Sequence, residues 1–261
     1  MDDDFTLLRL QVEWGADEAI DLDPMDRLRP VVAKPVPLLR PAPVTKDMPR
    51  ADPPKGTPGE RAVGLAGQAA SLDELRAALA GFDGCALRDT ASNLVFAEGD
   101  PASTTLIVGE PPGREEDRSG HPFAGPEGQL LDQMLASIGL TRAELMLTPL
   151  LPWRPPGGRP ASVAEIAICL PFLHRLIVLL KPHRIVVFGG TTARVLLPQT
   201  PNRRRNPRGW VEVSIPGLHQ TLPILALPGL TEMLKTPLLR RDAWAGLRML
   251  RRTLDGVQTE T

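Results

Sequence analysis

The sequence predicts an α/β fold, a three-layer sandwich whose central, mainly parallel sheet of four or five strands has helices on both faces. Three observations predict it. Short apolar runs at 106–108, 145–148, 185–188 and 222–227 alternate with stretches of helical period, the order that builds parallel sheets from crossover units. The run Ile185-Val186-Val187-Phe188 is unalternated, as expected of a strand covered on both faces. The strand at 106–108 opens into a loop rich in Gly and Pro and then a helix, the strand-end position where open α/β sheets bind ligands.

At 261 residues the chain can hold one large core with an additional arm. A net charge of −1 and a pI near 6.4 do not mark a general polyanion binder, which leaves local basic patches as the route to nucleic acid. Cys85 and Cys169 are the only cysteines, so neither a disulfide scaffold nor a four-thiolate metal site is available within one chain, and no metal is expected. No run approaches about 18 uninterrupted apolar residues and the N-terminus is acidic. Neither a membrane span nor a secretory signal is therefore expected, and the expected location is cytoplasmic.

Taken in order, residues 1–26 form an acidic segment in which Phe5 to Leu10, Val12 and Trp14 could make a short docking element. Residues 27–66 read as a disordered or polyproline-like linker, because ten prolines between Pro24 and Pro58 remove donors and bias their neighbours toward extended backbone. The ordered domain is expected over 67–256, with a flexible tail at 257–261. Ser71 with Glu74 caps a first helix carrying Leu72, Leu75 and Leu79 and ended by Gly81. Residues 93–98 suggest a strand. After Leu106-Ile107-Val108 comes a charged loop from Glu110 to Phe123. A helix then places Leu130, Leu131, Met134, Leu135 and Ile138 on one face before Gly139 stops it. Thr141 with Glu144 repeats the capping pattern ahead of a strand at 145–148. Ser162 and Glu165 cap a long helix that ends at Lys181-Pro182, and Gly189-Gly190 lead to another at 192–197. A basic loop with Arg203, Arg204, Arg205 and Arg208 precedes the strand at 222–227, and a closing helix at 242–254 carries Trp244, Leu247, Leu250 and Leu254.

Four spaced motifs then stand in order. They are Gly109-Glu110-Pro111-Pro112-Gly113 with Glu116-Asp117 and Gly120-His121-Pro122-Phe123; Trp153-Arg154-Pro155-Pro156-Gly157 with Arg159; Cys169-Leu170-Pro171-Phe172-Leu173 with Lys181-Pro182 and Gly189-Gly190; and Pro237, Arg241, Ala243 and Trp244. Together they resemble the type 4 uracil-DNA glycosylases, in particular the alphaproteobacterial versions, over about 71–254. The resemblance implies a uracil-DNA glycosylase-like fold, a base pocket of Phe123, Gly109, Pro112 and Gly113, and Glu110 as the catalytic candidate. It also implies phosphate contacts from Arg154, Arg159, Arg240 and Arg241.

The chain departs from the pattern at the chemistry. Extruding a uracil and breaking its bond to the sugar needs an aromatic floor, an amide reading the pairing edge and a donor at the developing oxyanion. Where the resemblance implies an Asn stands Pro149, and where it implies a His stands Gly229. Four cysteines hold an iron–sulfur centre in many members; Cys85 and Cys169 match two, while Phe82 and Trp153 stand at the others, so no cofactor is expected. Three readings follow. One is a DNA-repair glycosylase with weak or lost hydrolysis. Another is a non-catalytic paralogue binding single-stranded or damaged DNA, or a protein partner through the proline-rich arm. The third is a small-molecule or nucleotide module.

Overall fold

The computed structural model describes residues 56–197 and 209–258. The acidic segment 1–26, the linker as far as 55, the arginines at 203–208 and the last three residues lie outside them.

The sheet has six strands among the described residues, one more than the largest number expected: β1 Glu98–Gly99, β2 Thr105–Gly109, β3 Met146–Pro149, β4 Arg184–Phe188, β5 Trp210–Ser214 and β6 Thr221–Leu227, in the spatial order β1-β3-β2-β4-β6-β5. The four inner strands are parallel, and the two outer ones pair antiparallel to their neighbours. The strand expected at 93–98 shrinks to two residues. Its first half is held in irregular backbone, with Ser92 and Asn93 donating to the Asp117 carboxylate and Val95 donating to the Pro152 carbonyl. Strand β5 was not expected, because its alternating, half-exposed Trp-Val-Glu-Val-Ser lies directly after the arginine run.

Alternation along the inner strands feeds two cores. Leu106, Val108, Ile185 and Val187 pack with helices α1 Pro58–Gln68, α2 Leu72–Gly81 and α6 Val163–Leu180 on one face. Ile107, Val186, Phe188 and Leu225 pack on the other with α5 Gly125–Ala136, α8 Leu230–Lys235 and α9 Leu239–Gln258. Short helices α3 Leu87–Thr90, α4 Arg114–Ser119 and α7 Gly190–Leu196 complete the order. The three layers are those the sequence predicts.

The linker boundary needs correction, since residues 58–66 are helical. Thr57 accepts from the Glu60 N–H, the Glu60 carboxylate accepts from the Thr57 N–H at 2.8 Å, and Pro58 takes the first helical position, where its missing N–H costs nothing. Ala62 and Ala66 are buried in the same core as α6. Helix α6 is long and apolar enough to cross a bilayer by length and composition alone. In the fold it buries Cys169, Phe172, Leu173, Leu176 and Ile177, and its Arg175 donates twice to the Ala69 carbonyl. It is a core helix. On α9 the buried stripe is Ala243, Leu247 and Leu250, while Trp244 is 41% exposed.

Candidate functional site

Strands β2, β4 and β6 end side by side at Gly109, Phe188 and Leu227, and the loops that follow carry Glu110, Gly189 and Gly229. They close one end of a cavity of about 290 Å³ lined by Glu110, Phe123, Glu127, Phe188, Leu230 and Thr231 among others. This is the strand-end position of ligand sites in open α/β sheets.

The stretch expected as a charged loop contains helix α4, and its acidic pair organises the site. Glu116 accepts from the Gly113 N–H with one carboxylate oxygen and from the Phe123 N–H with the other, both at 2.6 Å. Asp117, 7% exposed, accepts from Ser92 and Asn93. Phe123 has a φ of +53°, a conformation that costs a non-glycine residue about 1–2 kcal/mol. It stays there because Glu116 takes its N–H, Arg142 Nη2 donates to its carbonyl at 2.7 Å, and Gly128 lets that carbonyl lie where a Cβ would stand. The ring rests on Gly109, whose own Cβ would come within 2.8 Å of it, and meets Phe188 edge to face at 6.5 Å. The Gly109 carbonyl in turn accepts from the Leu150 N–H and from buried Thr192 Oγ1 at 2.9 Å. Thr192 was not singled out in the sequence, since a threonine inside a short helix carries no motif signal.

Glu110 is half-buried and leans over two glycines. A Cβ at Gly189 would fall 2.2 Å from its carboxyl carbon, and one at Gly229 would fall 2.6 Å from Oε2. The fold therefore brings Glu110, Phe123 and Gly229 to one place. Pro149 is not in the cavity wall; it pairs with Gly109 one strand away and lines a separate narrow crevice with Thr148 and Cys169. Pro112 is buried, and Gly113 is exposed at the start of α4. Leu230 to Leu234 lie in helix α8, with Gly229 immediately before its first turn.

Burial raises the Glu110 carboxyl above the ordinary carboxylate range, and the neighbouring charges of Glu232 and Glu116 raise it further. Burial also raises Glu116, against the two backbone N–H bonds that lower it. The sign for stability follows. A carboxyl whose folded pKa lies above its unfolded value penalises the fold at neutral pH, and the penalty is relieved as pH falls through the folded pKa toward 4.5. Glu110→Gln should therefore be more stable than wild type at neutral pH. The advantage should shrink as pH approaches 4.5, the ordinary value of a free glutamate carboxyl, measured by urea melts across the range.

Of the arginines expected to contact phosphate, two already have intramolecular duties. Arg159 is bound to the Glu165 carboxylate through both terminal nitrogens, which holds Glu165 down to about 2, and Arg240 donates to the Met233 carbonyl. Arg154, half-buried, and Arg241, exposed, have no ion pair among the described residues. On the opposite face of the sheet, Phe82, Cys85, Trp153 and Cys169 are all buried in one apolar cluster, with Phe82 against Phe172 at 5.3 Å. Two thiols among aromatic rings do not fit a four-sulfur metal centre. Among the described residues no group of three or more His, Cys, Asp or Glu could hold a metal ion.

Comparison with known proteins agrees with this architecture. The model of the uracil DNA glycosylase superfamily matches residues 96–248. The type-4 uracil-DNA glycosylase of Pyrobaculum aerophilum is 37% identical over 126 residues, 48% of this chain and 64% of that protein. That of Archaeoglobus fulgidus is 37% identical over 126 residues, covering 48% and 63%. That of Thermotoga maritima is 33% identical over 131 residues, covering 49% and 68%. The chain thus spans a little under two thirds of the two archaeal relatives.

Proposed function

The chain belongs to the uracil-DNA glycosylase superfamily, and from that premise we propose that its cleft takes single-stranded or damaged DNA while hydrolysis of a flipped uracil is weak or lost. One observation carries the reading. At the place where the site would need a donor for the charge developing on the departing base, Gly229 presents no side chain, and the Glu110 carboxylate occupies the space beside it. A carboxylate there repels the charge that a donor would stabilise, and removing one such donor commonly costs about 10²–10³ in rate. Pro149 adds to this, having neither a side-chain amide nor a backbone N–H to read a base edge.

Any residual hydrolysis runs through Glu110, which can hold a water by accepting its proton and can stabilise positive charge growing on the sugar. Phosphate positioning falls to Arg154 and Arg241. The closer grouping with the alphaproteobacterial versions rests on the motifs, and the protein partner of the proline-rich arm and the cytoplasmic location rest on composition.

The test is release of free base from single-stranded and mismatched uracil-containing DNA, run beside salt-dependent binding of the same oligonucleotides. We expect binding that weakens with salt for all sequences alike, with base release near background. Rapid release abolished by Glu110→Gln would overturn the proposal. Absence of any DNA affinity would overturn it in favour of a small-molecule module.

A further inference from the structure

We propose that Cys85 and Cys169 are a redox modification site, closing to an intramolecular disulfide when the protein meets a peroxide. Their position is the one that the resemblance gives to half of a metal cluster, and the donor set there rules the cluster out while leaving the two sulfurs together. Cys169 donates its S–H to Cys85 Sγ at 3.8 Å, and the residues are 1% and 2% exposed. A disulfide bond is about 2.05 Å long, so the sulfurs have roughly 1.8 Å to close. Cys169 is fixed in the middle of α6, whereas Cys85 lies in the irregular connection between α2 and α3, beside Gly84. The movement falls on that connection.

The surroundings favour this chemistry over others. Phe82, Trp153 and Phe172 fill the remaining space, so no third ligand competes for the sulfurs. Cys169 lines a narrow crevice of about 20 Å³ with Leu79, Val95, Phe96 and Pro152, room for roughly one water-sized molecule. Hydrogen peroxide is close to that size. Cys169 is the sulfur that the crevice reaches. It attacks one peroxide oxygen, the O–O bond breaks, and the departing hydroxide takes the thiol proton and leaves as water. Cys85, in contact with Cys169, then attacks the sulfenic sulfur of Cys169 and expels a second hydroxide, which leaves as water with the Cys85 proton. The two thiols are oxidised by two electrons in total, and one peroxide is reduced to two waters.

The experiment treats the reduced full-length protein with hydrogen peroxide under native conditions, then denatures it and alkylates remaining thiols without reduction. Both thiols should become unreactive together, and a non-reduced digest should contain one peptide pair joined between residues 85 and 169, released by dithiothreitol. In Cys85→Ser or Cys169→Ser no joined pair should form. Glutathione disulfide, too large for the crevice, should cross-link far more slowly at equal concentration. Two alkylatable thiols after peroxide, or added oxygen without the joined pair, would overturn the proposal. Equal rates with both oxidants would overturn the crevice as the route.

Discussion

Gly128→Ala should destabilise the protein by about 3 kcal/mol, the upper end for forcing an atom into a packed site. The new Cβ would stand 1.7 Å from the Phe123 carbonyl oxygen and 2.5 Å from Arg142 Nη2. Neither neighbour can yield cheaply. The carbonyl belongs to a residue already held at positive φ, and Arg142 is fixed by its bonds to Phe123, Pro122 and Asp132. For a domain of this size the loss should lower the melting temperature by roughly 6–12 °C, read by calorimetry. Gly64, beside which an added Cβ would meet nothing, is the control: its change to Ala should not lower stability. Equal melting temperatures for wild type and Gly128→Ala would mean that Phe123 is not pinned by its backbone.

The second large effect is a gain. Replacing Pro149 by Asn and Gly229 by His should raise uracil release by about 10²–10³-fold, the scale at which one well-placed donor acts. Residue 149 ends β3 directly beside Gly109 on β2, and the Phe123 ring rests on Gly109, so an added amide there starts one strand away from the ring. A Cβ at 229 would crowd the flexible end of Glu110, which can swing aside, and would meet the Gly189 Cα at 3.4 Å, an ordinary contact. Kinetics on single-stranded substrate, with each single replacement as comparison, would read the outcome. No gain in the double variant, with folding intact by circular dichroism, would show that absent reader groups are not what limits this cleft.

Much of the fold was legible because the inner strands are unbroken apolar runs between capped helices; β4 is the clearest, all five residues being buried. What was missed has definite causes. Helix α1 lay under a proline-rich signal, although Thr57-Pro58-Gly59-Glu60 carries a complete start signal whose proline opens a helix instead of preventing one. Helix α4 is six residues of mostly charged sequence between turn formers, stable only because Glu116 reaches back to Gly113. Strand β5 alternates and is half-exposed, so its pattern is weak without its neighbour β6. At the site, the motif residues could be named from sequence. That Glu110 lies over Gly189 and Gly229 could not, because three separate strand ends meet there only after the sheet has formed. Likewise the motif gave no sign that Arg159 pairs with Glu165 at the first turn of α6.

The carboxylate of Glu116 has a wider implication. It spends both oxygens on main-chain amides, and its neighbour Asp117 fastens a distant segment, so the acidic half of the signature serves the shape of this loop. Selection for mere foldability would preserve those letters long after turnover had ceased. A genome survey keyed to that signature would therefore count scaffolds, whether or not each still turns over.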